Sequence, residues 1–310
     1  MRCTVFFFEW EERFIVWLQQ LGGMGFFKTF LLWLNNFFSF LGEEYVAIGV
    51  MGIVYWGINK KKARTIGFAV LSSMVCNTLI KNRFKRLRPW ISSDKIDLMR
   101  DVDGYSFPSA HSSSATALYP TLAAEYREKK WLRIPAILFP LVIAVSRCYL
   151  GAHWPTDVLC GLGLGLLFFA FAEFVLPRFK NEHMVYLAFL VIGLLGMFYC
   201  TTEDYFTNIG MYAGFCGAMI FDDKVVKFEN TKNIPLMIIR TVCGAGAFLA
   251  FNTLFKLILG GIFAEGTFGI LVMRTVRYAI TVFLILGVYP AVFKPVEKFC
   301  ANIFVKKENR

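Results

Sequence analysis

The sequence predicts an all-α polytopic membrane bundle, with a six-helix catalytic core followed by about four additional C-terminal transmembrane helices, counted by span length. Three observations carry that reading. Apolar runs near the length that crosses a bilayer recur from end to end. Hydrophobic residues make up 57% of the chain and the mean hydropathy is +0.55, above the apolar share of an ordinary soluble domain. The basic residues gather between the apolar runs: Lys60, Lys61, Lys62 and Arg64, then Arg127, Lys129, Lys130 and Arg133, then Arg178 and Lys180, and finally Lys294, Lys298, Lys306 and Lys307. A net charge of +11 arranged this way marks cytoplasmic loops beside an anionic leaflet and excludes nucleic acid as a partner.

The elements follow in order. Residues 5–21 place Phe7, Trp10, Phe14, Trp17 and Leu21 at three- and four-residue spacing with Glu and Gln opposite, which predicts an amphipathic helix in the membrane interface. Glu9, Glu11 and Glu12 interrupt this stretch, so it is not read as a cleavable signal. Crossings are then predicted at 26–41, 45–59, 65–81, 110–125, 132–150, 158–176, 184–200, 207–221, 236–260 and 269–292. The corresponding domains are 1–25 (interfacial helix), 26–177 (catalytic core) and 184–310 (C-terminal extension), divided at Pro177–His183.

Placing the Lys60–Arg64 loop inside and alternating puts 127–133, 178–183, 222–234 and the C-terminal tail inside, all of them basic. The loops with Glu203, Asp204 and Glu265 fall outside. Both termini are then cytoplasmic, and a bacterial cytoplasmic membrane is the expected location. One outside loop breaks the charge rule: 82–109 holds Arg83, Lys85, Arg86, Arg88, Lys95 and Arg100. An anionic substrate is the simplest reason for cations there.

Three stretches hold the chemistry. In Lys81–Pro89, a helix continued past Lys81 puts Lys81, Lys85 and Arg88 on one face, and Pro89 ends the run with a guanidinium free to fork onto phosphate oxygens. Pro108–His111 begins a helix: Ser109 is its predicted N-cap, the backbone N–H groups form an anion site, and His111 stands in the first turn. In Ser146–Asp157, Pro155 suits the first helical position and puts Asp157 in the opening turn. From there its carboxylate can accept the Nδ1 proton of His153 and leave Nε2 as a nucleophile. Taken singly, each stretch is also an ordinary helix cap or headgroup anchor. Two of the three histidines in the chain fall inside them. Eight cysteines are scattered without metal-ligand spacing.

Lys81-x6-Arg88-Pro89, Pro108-Ser109-Ala110-His111 and Ser146-Arg147-x5-His153-x3-Asp157 resemble, in order and spacing, the three signature motifs of the type 2 phosphatidic acid phosphatase superfamily. The resemblance covers roughly residues 44–176, and Ala110 stands where that family usually has Gly. It implies a lipid phosphate phosphatase in which His153 forms a phosphohistidine, Asp157 orients it, and His111 protonates the leaving oxygen. Lys81, Arg88, Ser109, the Ala110 turn and Arg147 would bind the phosphate. No metal and no cofactor are implied.

The substrate would be an amphiphile with its phosphate at the interface: a polyprenyl diphosphate, phosphatidic acid, phosphatidylglycerol phosphate or a single-chain lipid phosphate. Arg83, Lys85 and Arg86 lean towards a diphosphate. Two other readings are a lipid transporter or flippase, prompted by Arg240, Arg274 and Arg277 in the C-terminal crossings, and a phosphotransferase with an acceptor other than water. Snorkelling is the ordinary explanation of such arginines.

Overall fold

Long apolar runs become helices throughout the computed structural model, which describes residues 8–23, 25–259, 262 and 266–295. Phe7, Glu265, Lys298, Lys306 and Lys307 lie outside the described residues. Twelve helices occur among those described: α1 (Glu9–Gln20), α2 (Phe26–Leu41), α3 (Glu44–Ile53), α4 (Lys60–Phe84), α5 (Pro89–Ser92), α6 (Ala110–Glu125), α7 (Arg133–Tyr149), α8 (Pro155–Ala170), α9 (Glu182–Leu195), α10 (Glu203–Phe221), α11 (Ile234–Leu259) and α12 (Phe268–Phe283). There is no β-strand among them. The fold is an all-α polytopic bundle.

Among the described residues five helical stretches are long and apolar enough to span: Lys60–Phe84, Lys130–Tyr149, Pro155–Arg178, Ile234–Leu259 and Phe268–Pro295. The pair Phe26–Leu41 and Glu44–Ile58 passes the same test when taken together, with a bend of 51° at the break. The α6 and α9 helices have only 16 and 14 residues, short of the roughly 20 that a bilayer core requires.

The chain divides into two compact units. The first comprises the described residues within Met1–Ile48, Thr65–Glu182 and Ile192–Tyr205. Here α6 packs on α8 and α7, α2 on α7, and α1 on α7 and α8. The α6–α8 contact is set by glycine. A Cβ at Gly161 would stand 2.5 Å from the Ser109 carbonyl oxygen, and one at Gly165 would stand 2.5 Å from that of Ser113. The missing side chains let the start of α6 lie directly on the helix that carries Asp157.

The α1 helix corrects part of the sequence reading. Trp10, Trp17 and Leu21 are exposed as expected, while Ile15 and Leu18 join a core with Ile96, Ala144, Cys148, Tyr149, Leu150, Trp154 and Val158. The polar side is not all solvated, because Glu11 and Gln19 are buried. Burial is compensated by partners: the Gln19 side-chain amide donates to the carbonyls of Asp97 and Tyr149, and Glu11 accepts from Arg86 and Thr156.

The second unit comprises the described residues within Gly49–Arg64, His183–Val191 and Phe206–Arg310. Arg64 is clamped to Asp222 at 2.6 Å and Asp223 at 2.7 Å, Lys60 reaches Asp222 at 2.9 Å, and His183, the one histidine outside the motifs, meets Asp223 at 2.9 Å. The Arg240 guanidinium is buried, donates to the Trp56 and Glu229 carbonyls, and lies over the Phe293 ring. Arg274 donates to Thr207 at 3.5 Å, and Arg277 lies over Tyr278.

Candidate active site

The motif residues meet inside the first unit, at the end of the bundle where α4 stops and α6 and α8 begin. The α4 helix ends at Phe84, and Lys85 adopts a left-handed conformation with φ 51°. The continuous helical face expected for Lys81, Lys85 and Arg88 is therefore broken. Lys81 remains buried in the last turn of α4, whereas Lys85 turns away over the Tyr105 ring. Arg88 is the extended N-cap of α5 with Pro89 in the first position, where Pro is well suited; the preceding run has already ended at Phe84, not at Pro89.

The Arg88 guanidinium is held rather than free. Nε donates to the Gly104 carbonyl at 2.9 Å, Nη1 to that of Ala152 at 2.8 Å, and Nη2 to that of Asp103. Nη1 also stands 3.4 Å from Nε2 of His153. Three carbonyl tethers fix a cation beside the nitrogen that the sequence marks as nucleophile. Burial lowers the Arg88 guanidinium to about 10, opposed by the charges of Asp157, Asp204 and Asp103, so it is still a cation at pH 7.

His153 follows the tight Leu150–Ala152 turn. Gly151 has φ 72° there, and a Cβ would stand 2.4 Å from the Asp97 carbonyl oxygen, so only glycine suits the position. The His153 N–H donates to the Arg147 carbonyl at 3.3 Å, which ties the turn to α7. The imidazole is buried, and Arg88, Arg147 and Lys81 lie within electrostatic reach. Desolvation first, and then these cations, push it well below the usual histidine range, so the ring is neutral at pH 7.

Asp157 is completely buried at the third position of α8 and caps it by accepting the Trp154 N–H at 2.8 Å. Its Oδ2 lies 3.7 Å from His153 Nδ1, too long for a hydrogen bond. Ser106 stands between them: its hydroxyl donates to Asp157 Oδ2 at 2.5 Å and lies 3.5 Å from His153 Nδ1. The other carboxylate oxygen accepts from Arg86 at 2.6 Å.

The α6 N-terminus completes the pocket. Ser109 is its N-cap, with Oγ accepting from the Ser112 N–H at 3.4 Å, and its own N–H donates to the Asp157 carbonyl at 3.0 Å. Ala110 opens the helix and His111 follows in its first turn, within electrostatic reach of Arg147, His153 and Lys81. His111 Nε2 is buried with no hydrogen-bond partner among the described residues. Arg147 is buried in α7 and donates to Ser39 Oγ at 2.5 Å, while its Nε has no partner among the described residues. Buried polar atoms left without partners among the described residues, together with the cations near His153, suit a tetrahedral anion.

Sequence reasoning missed four participants: Glu11, Ser39, Arg86 and Ser106. Arg86, which leans towards a diphosphate in the sequence, is instead buried against Glu11 and Asp157. The short spacing Arg86-x-Arg88 was the available signal. Serines such as Ser39 and Ser106 carry none. Among the described residues, no group of three or more His, Cys, Asp or Glu side chains has metal-binding geometry.

Comparison with known proteins gives the following. The profile of the PAP2 superfamily matches residues 62–182, and that of the PAP2 superfamily phosphatase transmembrane extension matches residues 206–298. Phosphatidylglycerophosphatase B of Bacillus subtilis is 37% identical over 101 residues, covering 30% of this chain and 47% of that protein. The undecaprenyl-diphosphatase BcrC of the same organism is 28% identical over 153 residues, covering 46% of this chain and 78% of the relative. The decaprenylphosphoryl-5-phosphoribose phosphatase of Mycobacterium tuberculosis is 30% identical over 133 residues, covering 41% and 70% respectively. The chain thus spans less than half the length of the first relative. No solved structure matches it.

Proposed function

Because this chain belongs to the PAP2 superfamily, we propose that it is a membrane phosphatase acting on a lipid phosphate or diphosphate through a phosphohistidine at His153. The single observation that carries the reading is the position of His153: a buried neutral imidazole whose Nε2 lies 3.4 Å from a tethered guanidinium, with Arg147 and Lys81 within electrostatic reach. In this mechanism Nε2 attacks phosphorus in line, and the P–N bond forms as the bond to the leaving oxygen breaks. His111 gives that oxygen a proton, and in the second step takes one from the water that cleaves the P–N bond. Lys81, Arg88, Arg147, Ser109 and the N–H groups at Ala110 carry the charge on the equatorial oxygens. That work is assigned to fixed side chains, so phosphate release should persist in EDTA.

The reading places the site on the extracytoplasmic face, supported by the charge asymmetry of the loops and by the basic 82–109 segment; on that reading α1, whose Glu11 bonds Arg86 and Thr156 at the site, stands on the same face, so the cytoplasmic placement expected for the N-terminal segment is given up. The relatives are named for phosphatidylglycerophosphate, undecaprenyl diphosphate and decaprenylphosphoryl-5-phosphoribose, and an interfacial lipid phosphate is the chemistry they share. Arg240, one of the three arginines that prompt the transport reading, is bonded to two backbone carbonyls and lies over a ring, which supports a structural role for it. A phosphate-release panel of one- and two-chain monophosphate and diphosphate lipids, in detergent with and without EDTA, tests the proposal. Turnover of at least one lipid that is insensitive to EDTA and lost in His153→Ala is expected. Absence of turnover on every lipid would contradict it.

A further inference from the structure

The α1 helix reaches from the predicted interface to the catalytic carboxylate. Its outer side exposes Trp10 and Trp17. On its inner side Glu11 is fully buried, and its Oε2 accepts from Arg86 Nη2 at 2.7 Å. The same guanidinium donates through Nη1 to Asp157 Oδ1 at 2.6 Å and to Thr156 Oγ1 at 2.7 Å. Glu11 Oε1 closes the ring by accepting from the Thr156 N–H at 3.0 Å and its hydroxyl at 2.6 Å. Glu11 therefore holds both Arg86 and the first turn of α8, two residues from the start of which stands Asp157.

We propose that Glu11 is a positioning residue for the reaction: through Arg86 and Thr156 it fixes the orientation and charge of Asp157, and hence the His153 ring. The physical argument is electrostatic as well as steric. Arg86 and Asp157 alone would form a neutral pair, with the carboxylate's charge consumed by the guanidinium. Glu11 makes it two carboxylates on one guanidinium, so the buried set keeps an excess negative charge beside His153. That charge can stabilise the imidazolium character that develops as Nε2 bonds phosphorus. The buried setting supplies the required low screening, because Glu11, Arg86 and Asp157 are each at most 4% exposed. Such a network is ill suited to stability alone, since desolvating three charges offsets most of their attraction.

This inference rests on the phosphatase reading, and its test separates the two. Lipid phosphate turnover is measured for the full chain and for Glu11→Gln, which keeps the shape and removes the charge. Arg86→Lys, which keeps the charge and removes the fork, provides a second variant should the first not fold. Each is also combined with Asp157→Asn. Second partners of functional side chains are worth about 10- to 100-fold, so kcat should fall by that factor with KM nearly unchanged. Glu11→Asp should restore part of the rate, and Glu11→Gln should add nothing once Asp157 is already Asn. The exposed neighbour Glu9→Gln serves as control at the wild-type rate, because Glu9 pairs with exposed Arg13 in the i, i+4 position. Wild-type kcat in both Glu11→Gln and Arg86→Lys, or an equal loss from Glu11→Gln in the presence and absence of the Asp157 carboxylate, would overturn the proposal. A wild-type chain with no turnover at all would instead overturn the phosphatase reading beneath it.

Discussion

Ser106 donates its hydroxyl to Asp157 at 2.5 Å and occupies the carboxylate oxygen nearest His153 Nδ1. A direct histidine–carboxylate bond is thereby replaced by a serine interposed between the two. Ser106 is fixed in turn, because it is fully buried and its N–H donates to the Arg86 carbonyl at 2.9 Å. Removing the hydroxyl leaves a strong acceptor short of a partner and the ring without its neighbour. Ser106→Ala should lower kcat about tenfold with little change in KM, on the scale of second-partner effects. An unchanged kcat would show that the interposed hydroxyl does not matter.

The depressed His153 pKa fixes the sign of the pH response. A free histidine titrates near 6.5, but burial and then Arg88, Arg147 and Lys81 lower the value in the folded state. The neutral nucleophile should thus persist below pH 6.5, and the acid limb of kcat/KM should lie below that value. Arg88→Gln should move the limb upward while reducing the maximum. Stability responds in the same direction: the unfolded chain binds the proton first, so the contribution of neutral His153 is present above 6.5 and is lost as pH falls below it. Unfolding midpoints measured across that range check the second statement.

Arg147→Lys should be costly although it conserves charge. The guanidinium presents several donors in a plane, one of them already on Ser39 at 2.5 Å, and an ammonium offers no such fork. The expected loss in kcat/KM is about 1.5–3 kcal/mol, the worth of a charged hydrogen bond. Equal kcat/KM in the two enzymes would mean that Arg147 acts only as a point charge.

Gly161→Ala tests how the helices seat the phosphate loop. Its Cβ would stand 2.5 Å from the carbonyl oxygen of Ser109, the N-cap of α6, and 3.0 Å from Ser112 Cβ in its first turn, positions that cannot swing aside. Overpacking of this kind costs about 1–3 kcal/mol and displaces the Ser109 cap. A lower unfolding temperature together with a lower kcat is expected, whereas Gly163→Ala, which meets nothing within 4 Å, should be neutral.

The motif residues were legible in the sequence because their local rules are strong. Proline fixed the starts of helices after Arg88 and Trp154, serine capped α6, and Pro155 set Asp157 in the first turn of α8. The structure brings Arg88 to 3.4 Å and Asp157 to 3.7 Å from the His153 ring. What could not be read is the choice among equivalent polar residues. Hydropathy places Glu9, Glu11 and Glu12 alike on the polar side of α1, yet only Glu11 faces Arg86, a pairing across 75 positions. Likewise the basic loop revealed surplus cations without revealing that Arg86 is consumed by carboxylates. Direction was also illegible: the apolar runs at 26–41 and 45–59 are separated by a bend of 51°, and hydropathy does not register it.

Trapping the covalent intermediate tests the central claim most directly. The protein is mixed with a radiolabelled lipid phosphate that it turns over, quenched at alkaline pH on the millisecond scale, and digested for mass spectrometry. One acid-labile phosphoryl group on the peptide containing His153, absent from His153→Ala and increased in His111→Ala if hydrolysis of the intermediate slows, is the predicted result. Turnover with no labelled protein, or label on another residue with His153→Ala still active, would contradict it.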